Sequence, residues 1–280
     1  GIAHALEDQN YKVTLLYVSE EGDFNFPYLE GNPLPENLNK SLLVEGVINR
    51  FERLKNERLK NIDAKISYAV TSGKVYREVS EMARRMEADT IVMGTKGSPD
   101  NTAFIGSNAS RVVQMAPCPV VVVRERGYES GYQDIVLPLD LSKETKQKTD
   151  WAIKVGQYFK ANVHIMSVSE DDEYLKKRIE NNINQVEGIL NDNNVKTTAT
   201  TLTESSGSFA QKTLDFAEEK GADLIMIMSQ QERSFKEYIF GSYAQYIVGR
   251  SRIPVMCINP RTDVYSFYEA GSPHTAFPSG

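Results

Sequence analysis

Ala88-Asp89-Thr90-Ile91-Val92-Met93-Gly94 and Ala222-Asp223-Leu224-Ile225-Met226-Ile227-Met228-Ser229 are one segment used twice. Each is an Ala-Asp pair, then an apolar run, then a small residue, which reads as a fully buried strand. The likeness continues on both sides. Phe104-Ile105-Gly106-Ser107 returns as Phe240-Gly241-Ser242, and Cys118-Pro119-Val120-Val121-Val122-Val123 as Ile253-Pro254-Val255-Met256-Cys257-Ile258. Upstream, Lys12-Val13-Thr14-Leu15-Leu16-Tyr17-Val18 returns as Asn162-Val163-His164-Ile165-Met166-Ser167-Val168. Gly106 and Gly241 are 135 positions apart, Lys12 and Asn162 150. A shorter loop after that strand in the second copy accounts for the difference of 15.

Helical patterns fill the gaps between these strands. In the first copy Val13–Val18, Lys65–Val70, Thr90–Met93 and Val120–Val123 read as strands. Leu42–Asn61, Val75–Glu87 and Asn108–Ala116 read as helices, the first two with an apolar stripe against charge. Glu20–Asn39, rich in Gly, Pro and Asn, reads as a long loop, and Thr71-Ser72-Gly73 as a turn. In the second copy the strands are Asp134–Leu139, Val163–Val168, Thr197–Leu202, Leu224–Met228 and Val255–Ile258, with a helix over Glu144–Lys160. Such alternation means βαβ units. The fold class is α/β, with two tandem doubly wound, Rossmann-like parallel sheets. The boundaries fall at 1–125 and 132–260, joined by the linker Glu125–Gln133, with a polar tail over 261–280. In such sheets ligands lie beyond the carboxyl ends of the strands, where strand order reverses.

The first copy has no counterpart of Asp134–Leu139, because the equivalent position falls before Gly1. A buried parallel strand is rarely discarded, since its neighbours keep unpaired N–H and C=O groups. The expectation is a start truncated relative to the repeat; a variant that never had the strand is the other reading.

A chain of 280 residues fits two domains, and 40 % hydrophobic with 25 % charged residues reads as soluble and globular. The net charge of −6 argues against a nucleic-acid partner. No apolar run approaches the ~20 residues of a membrane span, and Gly1–Asn10 shows no signal peptide. Cys118 and Cys257 sit in or beside the terminal strands as reduced, buried thiols, in keeping with a cytoplasmic protein. His4, His164 and His274 are isolated, and His164 reads as structural.

Chemistry is carried by Gly94-Thr95-Lys96-Gly97, eight further residues, and then Gly106-Ser107-Asn108 opening a helix. Glycines at a strand end allow close ligand approach, and a helix N-terminus offers free N–H groups and partial positive charge, which suit phosphate. Ser107 can cap the helix or hydrogen-bond a phosphate. Gly-x-x-Gly alone is an ordinary turn, but the whole strand–Gly-x-x-Gly–x8–Gly-Ser–helix arrangement is much more specific. It is neither a Walker P-loop nor the dinucleotide Gly-x-Gly-x-x-Gly.

On these residues the chain resembles the universal stress protein family in its tandem form, whose fold is adenine-nucleotide alpha-hydrolase-like. Nucleotide-binding members carry Gly-x-x-Gly-x9-Gly-Ser/Thr; this chain has x8. The resemblance implies ATP (or AMP or ADP), with Mg as its companion ion. It sets Val18 and Met93 beside the adenine or ribose. It sets Gly94, Lys96, Gly97, Gly106, Ser107 and Asn108 around the phosphates. In the first copy the position of the family's adenosine-binding Asp falls before Gly1; Asp140 stands there in the second, where a turn or capping role is the other reading. In the second copy Gly94 has become Ser229 and Gly97 has become Glu232, a carboxylate that repels phosphate, with Arg233 offsetting it in part. The expectation is a regulatory adenine-nucleotide-binding protein acting through its first half. A scaffold that binds no nucleotide is the alternative, and a slow ATPase the third reading. The terminal strands Val120–Val123 and Val255–Ile258 are expected to pair inside the chain as a pseudo-dimer that can dimerise further.

Overall fold

A computed structural model of the protein describes residues 12–20, 28–33, 38–60, 65–95, 106–124, 131–203, 207–229 and 241–260. The strands are β1 (Lys12–Ser19), β2 (Tyr28–Leu29), β3 (Lys65–Ser72), β4 (Ile91–Gly94), β5 (Val120–Val123), β6 (Asp134–Pro138), β7 (Asn162–Val168), β8 (Lys196–Leu202), β9 (Leu224–Met228) and β10 (Val255–Ile258). The helices are α1 (Leu38–Arg58), α2 (Val75–Arg85), α3 (Ser107–Met115), α4 (Lys148–Phe159), α5 (Glu173–Asp192), α6 (Phe209–Glu219) and α7 (Ser242–Arg250). A short 3-10 turn over Lys143–Gln147 leads into α4, where the sequence pattern suggests one continuous helix.

The second half is the complete unit. Its strands run in the order β8-β7-β6-β9-β10, all parallel. Helices cover both faces. Leu214, Phe216, Ile247 and Val248 pack with Val136 and Ile225 on one side. Ala152, Ile183 and Leu190 pack with Ile135, Val163 and Leu224 on the other. A strand covered on both faces must be apolar at every position, which is why Leu-Ile-Met-Ile-Met of β9 is buried throughout.

The first half repeats the order but is split. β1 pairs with β3, and β3 with β2, while β4 pairs with β5 in the large sheet. Among the described residues no strand joins β1 to β4 as β6 joins β7 to β9. The consequence is visible at β4. The sequence reads Thr90–Met93 as fully buried, yet Val92 is 55 % exposed, whereas Ile227 at the same place in β9 is 0 %. Three smaller expectations change as well. The long loop contains β2, whose Tyr28 and Leu29 sit antiparallel on Val70 and Ala69. Helix α1 begins at Leu38, not Leu42, and β3 continues through Thr71 and Ser72.

The halves join where the terminal strands predict. β5 and β10 pair antiparallel, with Val122 opposite Val255, Val121 opposite Met256 and Val120 opposite Cys257, so one seven-stranded sheet crosses the chain. Reciprocal contacts brace the seam. Arg124, just after β5, donates to the Gly249 carbonyl near the end of α7. Asn259, just after β10, donates from Nδ2 to the Ala116 carbonyl at the end of α3, at 3.0 Å. The last carbonyls of a helix lack intrahelical donors, so each half supplies a side chain to the other half's helix end. Cys257 is buried; Cys118 is only half-buried, because it precedes β5 rather than lying in it. His164 is satisfied structurally, Nε2 lying 2.8 Å from Asp134 Oδ1 and Nδ1 2.7 Å from Thr198 Oγ1. Among the described residues no helix is long and apolar enough to cross a membrane.

Candidate functional site

The carboxyl ends of β1 and β4 and the first turns of α1 and α3 surround a cavity of about 1040 Å³. Val18, Met93, Gly94, Gly106, Ser107 and Asn108 all line it. Lys96 and Gly97 lie outside the described residues.

Each group is placed by its element. Val18 and Met93 are the penultimate residues of their strands, so both arrive at the rim. Gly94 ends β4, and a Cβ there would meet only the Val123 carbonyl at 3.9 Å, so the backbone stays open towards the cavity. Gly106 is the N-cap of α3 and has no side chain with which to cap that end. Ser107 is therefore the first helical residue, and its hydroxyl leaves the cap to the backbone. The first intrahelical bond runs from Ser110 N–H to Gly106 C=O at 3.1 Å. The N–H groups of Ser107, Asn108 and Ala109 precede it and point along the helix axis into the cavity, as an anion requires.

Two lining groups escape the motif. Thr95 Oγ1 is enclosed and has no hydrogen-bond partner among the described residues, while its N–H donates to Val123 C=O at 3.1 Å. A buried hydroxyl left unpaired costs ~1–3 kcal/mol. The signal was present as the Thr after Gly94. Lys40 brings a cation from the first turn of α1; the sequence pattern starts that helix too late to bring Lys40 onto it.

The second half is closed at the equivalent point. Ser229, which replaces Gly94, is 0 % exposed, and its hydroxyl donates to Asn259 Oδ1. Gly241 N–H donates to Ser229 C=O at 3.1 Å, tying the start of α7 back onto the end of β9. A smaller cavity of about 320 Å³ remains beside Asp140, Ser167, Glu170 and Lys212, and it does not extend to α7. Asp140 acts as a turn residue: Oδ1 accepts from Ser142 N–H at 3.0 Å and from Ser142 Oγ at 2.5 Å. Glu232 and Arg233 lie outside the described residues.

At the start of α4 Lys148 is only 3 % exposed and donates to the Pro138 carbonyl. Burial pushes its ammonium down from 10.5 to about 8, and the nearby Asp140 charge offsets this only in part. Below about pH 8 the lysine is charged in both folded and unfolded chains, so the burial penalty is present in full. Between about 8 and 10.5 the unfolded chain holds a proton that the folded chain has released, so this residue's contribution to stability rises with pH. Cys257 and Tyr243, whose burial pushes them up, act in the opposite sense above their ordinary values. Comparison with Lys148→Met isolates the lysine. Urea unfolding at pH 7 should find the variant more stable by roughly 1–2 kcal/mol after loss of the Pro138 bond. That advantage should shrink as the pH is raised towards 10.

The family model described as "Universal stress protein family" matches residues 2–124 and again 131–259. Universal stress protein G of Shigella flexneri is 41 % identical over 61 residues, 22 % of this chain and 43 % of that protein. The chain thus spans less than half the length of that curated relative. A Thermus aquaticus universal stress protein, described as lying in the QAH/OAS sulfhydrylase 3' region, is 31 % identical over 97 residues, 33 % of this chain and 71 % of its own. Over the whole molecule, the crystal structure of a universal stress protein from Archaeoglobus fulgidus superposes with a TM-score of 0.68 at 18 % identity, covering 89 % of this chain and 88 % of that one.

Proposed function

Because the chain belongs to the universal stress protein family, with two copies of the domain in tandem, we propose that it is a regulatory adenine-nucleotide-binding protein whose first half holds the ligand. The observation that carries this reading is the contrast between equivalent places. In the first half Gly94, Thr95 and the first turn of α3 line one cavity. In the second half the Ser229–Asn259 bond and the Gly241–Ser229 bond close the same notch.

In this reading Val18 and Met93 flank the base or ribose, and Gly94, Gly97, Gly106, Ser107 and Asn108 surround the phosphates of ATP, AMP or ADP. Lys96 adds a positive charge between the two glycines. A magnesium ion would be carried with the triphosphate. The site binds and positions; its output is a change in contacts with a protein partner, not turnover. We take the two units as 1–125 and 132–260, with 261–280 as a tail, in a cytoplasmic protein.

The test is calorimetric titration of the full chain with ATP, AMP and adenosine. Tighter binding of ATP than of adenosine is expected from the α3 N-terminus. Binding of none of them would leave the non-binding scaffold as the function. Lys96→Met should weaken ATP more than adenosine, because an ammonium contributes charge rather than a fixed fork of donors. Equal losses for the two ligands would make Lys96 a solvated loop residue.

A further inference from the structure

β3 and β8 are equivalent strands of the two halves, and their outer edges differ. In the first half β2 covers the outer edge of β3, with Glu30 N–H donating to Tyr68 C=O at 2.9 Å. The shorter loop of the second half leaves no such strand among the described residues, and β8 pairs only with β7. β8 reads Lys-Thr-Thr-Ala-Thr-Thr-Leu, with one charge, at Lys196, and no proline. Its Thr198, Ala199 and Thr201 are exposed. An edge this long is normally blocked by charge, proline or a bulge.

The edge has an internal symmetry. Thr197-Thr198-Ala199-Thr200-Thr201 is the same sequence read in either direction. The backbone has the same centre. Leu202 C=O accepts from Ser169 N–H at 2.7 Å, so Leu202 faces β7. In a parallel pair alternate residues face the neighbour, and the register from Lys196 to Leu202 has no slip. Thr200, Thr198 and Lys196 therefore also face β7, and Thr197, Ala199 and Thr201 present both N–H and C=O outwards. These outward groups are placed symmetrically about Ala199.

We propose that β8 is a homodimer interface, two copies of this chain pairing antiparallel about a two-fold axis at Ala199. Ala199 then meets its own copy as a hydrogen-bonded pair, and Thr197 meets Thr201 of the second copy likewise, for about six inter-strand bonds. Thr198 meets Thr200 between them. Every threonine faces a threonine, which suits cross-strand pairing, and Lys196 faces Leu202 rather than another cation. The seven-stranded sheet becomes one of twice that width through the edge that lacks a counterpart of β2.

Sedimentation velocity on the full chain tests this. A reversible dimer is expected at high micromolar concentration. The double variant Thr197→Lys, Thr201→Lys places like charges opposite each other and should be monomeric. Thr197→Glu, Thr201→Glu should be monomeric too, and mixing the two variants should restore a dimer, because lysine then faces glutamate. A second readout is independent of charge. Ala199→Cys should crosslink to its copy on mild oxidation, since a hydrogen-bonded antiparallel pair sits ~5.5 Å apart at Cα. Thr200→Cys should not, because it faces Thr198. A monomeric parent chain, a lysine variant that dimerises like the parent, or equal crosslinking at 199 and 200 would overturn the proposal.

Discussion

Gly97→Glu should cost the full-length protein about 100-fold in ATP affinity, or ~2.7 kcal/mol. The change brings into the first half the residue that the second half carries as Glu232. A carboxylate held near a triphosphate is a like-charge contact in a partly desolvated place, and it also puts a side chain where the backbone must approach the ligand. The reverse change, Glu232→Gly, should add almost nothing. Ser229 is still tied to Asn259, and the start of α7 is still tied to Ser229. Isothermal titration on folded protein checks both. An unchanged ATP affinity in Gly97→Glu would remove the phosphates from this loop.

Val121→Asp should be the most damaging single change to the fold. Val121 is 0 % exposed, faces Met256 across the β5–β10 seam and lies in the core packed by α4 and α5. Val121 lies in an apolar cluster, so burying a carboxylate there costs several kcal/mol or forces protonation. Loss of the cooperative unfolding transition, with aggregation or separation of the halves, is the expected result. A soluble variant with the parent's urea midpoint would mean that the seam carries little of the stability. Val123→Asp, at a position only partly buried, should be milder.

Much of this is legible in the sequence because repetition supplies an internal comparison. The β5–β10 pairing follows from two short runs, Val120–Val123 and Val255–Ile258, that are apolar at every position and so cannot remain as free edges. Six of the eight motif residues meet around one cavity because a strand end and a helix start lie side by side in any βαβ unit. What escapes has physical causes as well. β4 reads as buried since its residues are apolar, but burial also depends on a neighbour, and among the described residues β4 pairs with β5 on one side only. Asn259 gives no sign in sequence of its double role, because its partners Ser229 and Ala116 are 30 and 143 positions away. Thr95 looks like any loop threonine, although its hydroxyl is enclosed without a partner among the described residues. Lys148 is the first residue of α4, directly after a 3-10 turn, and the polar pattern of Lys143–Gln147 conceals that the side chain turns inward.

Hydrogen–deuterium exchange of the full chain with and without saturating ATP locates the ligand most directly. Added protection is expected in peptides covering Val18–Ser19, Met93–Thr95 and Gly106–Ala109, with Met228–Ser229 and Gly241–Ala244 unchanged. Protection centred on Asp140, Ser167 and Gly241–Ala244, with the first-half peptides unaffected, would contradict the assignment of nucleotide to the first half.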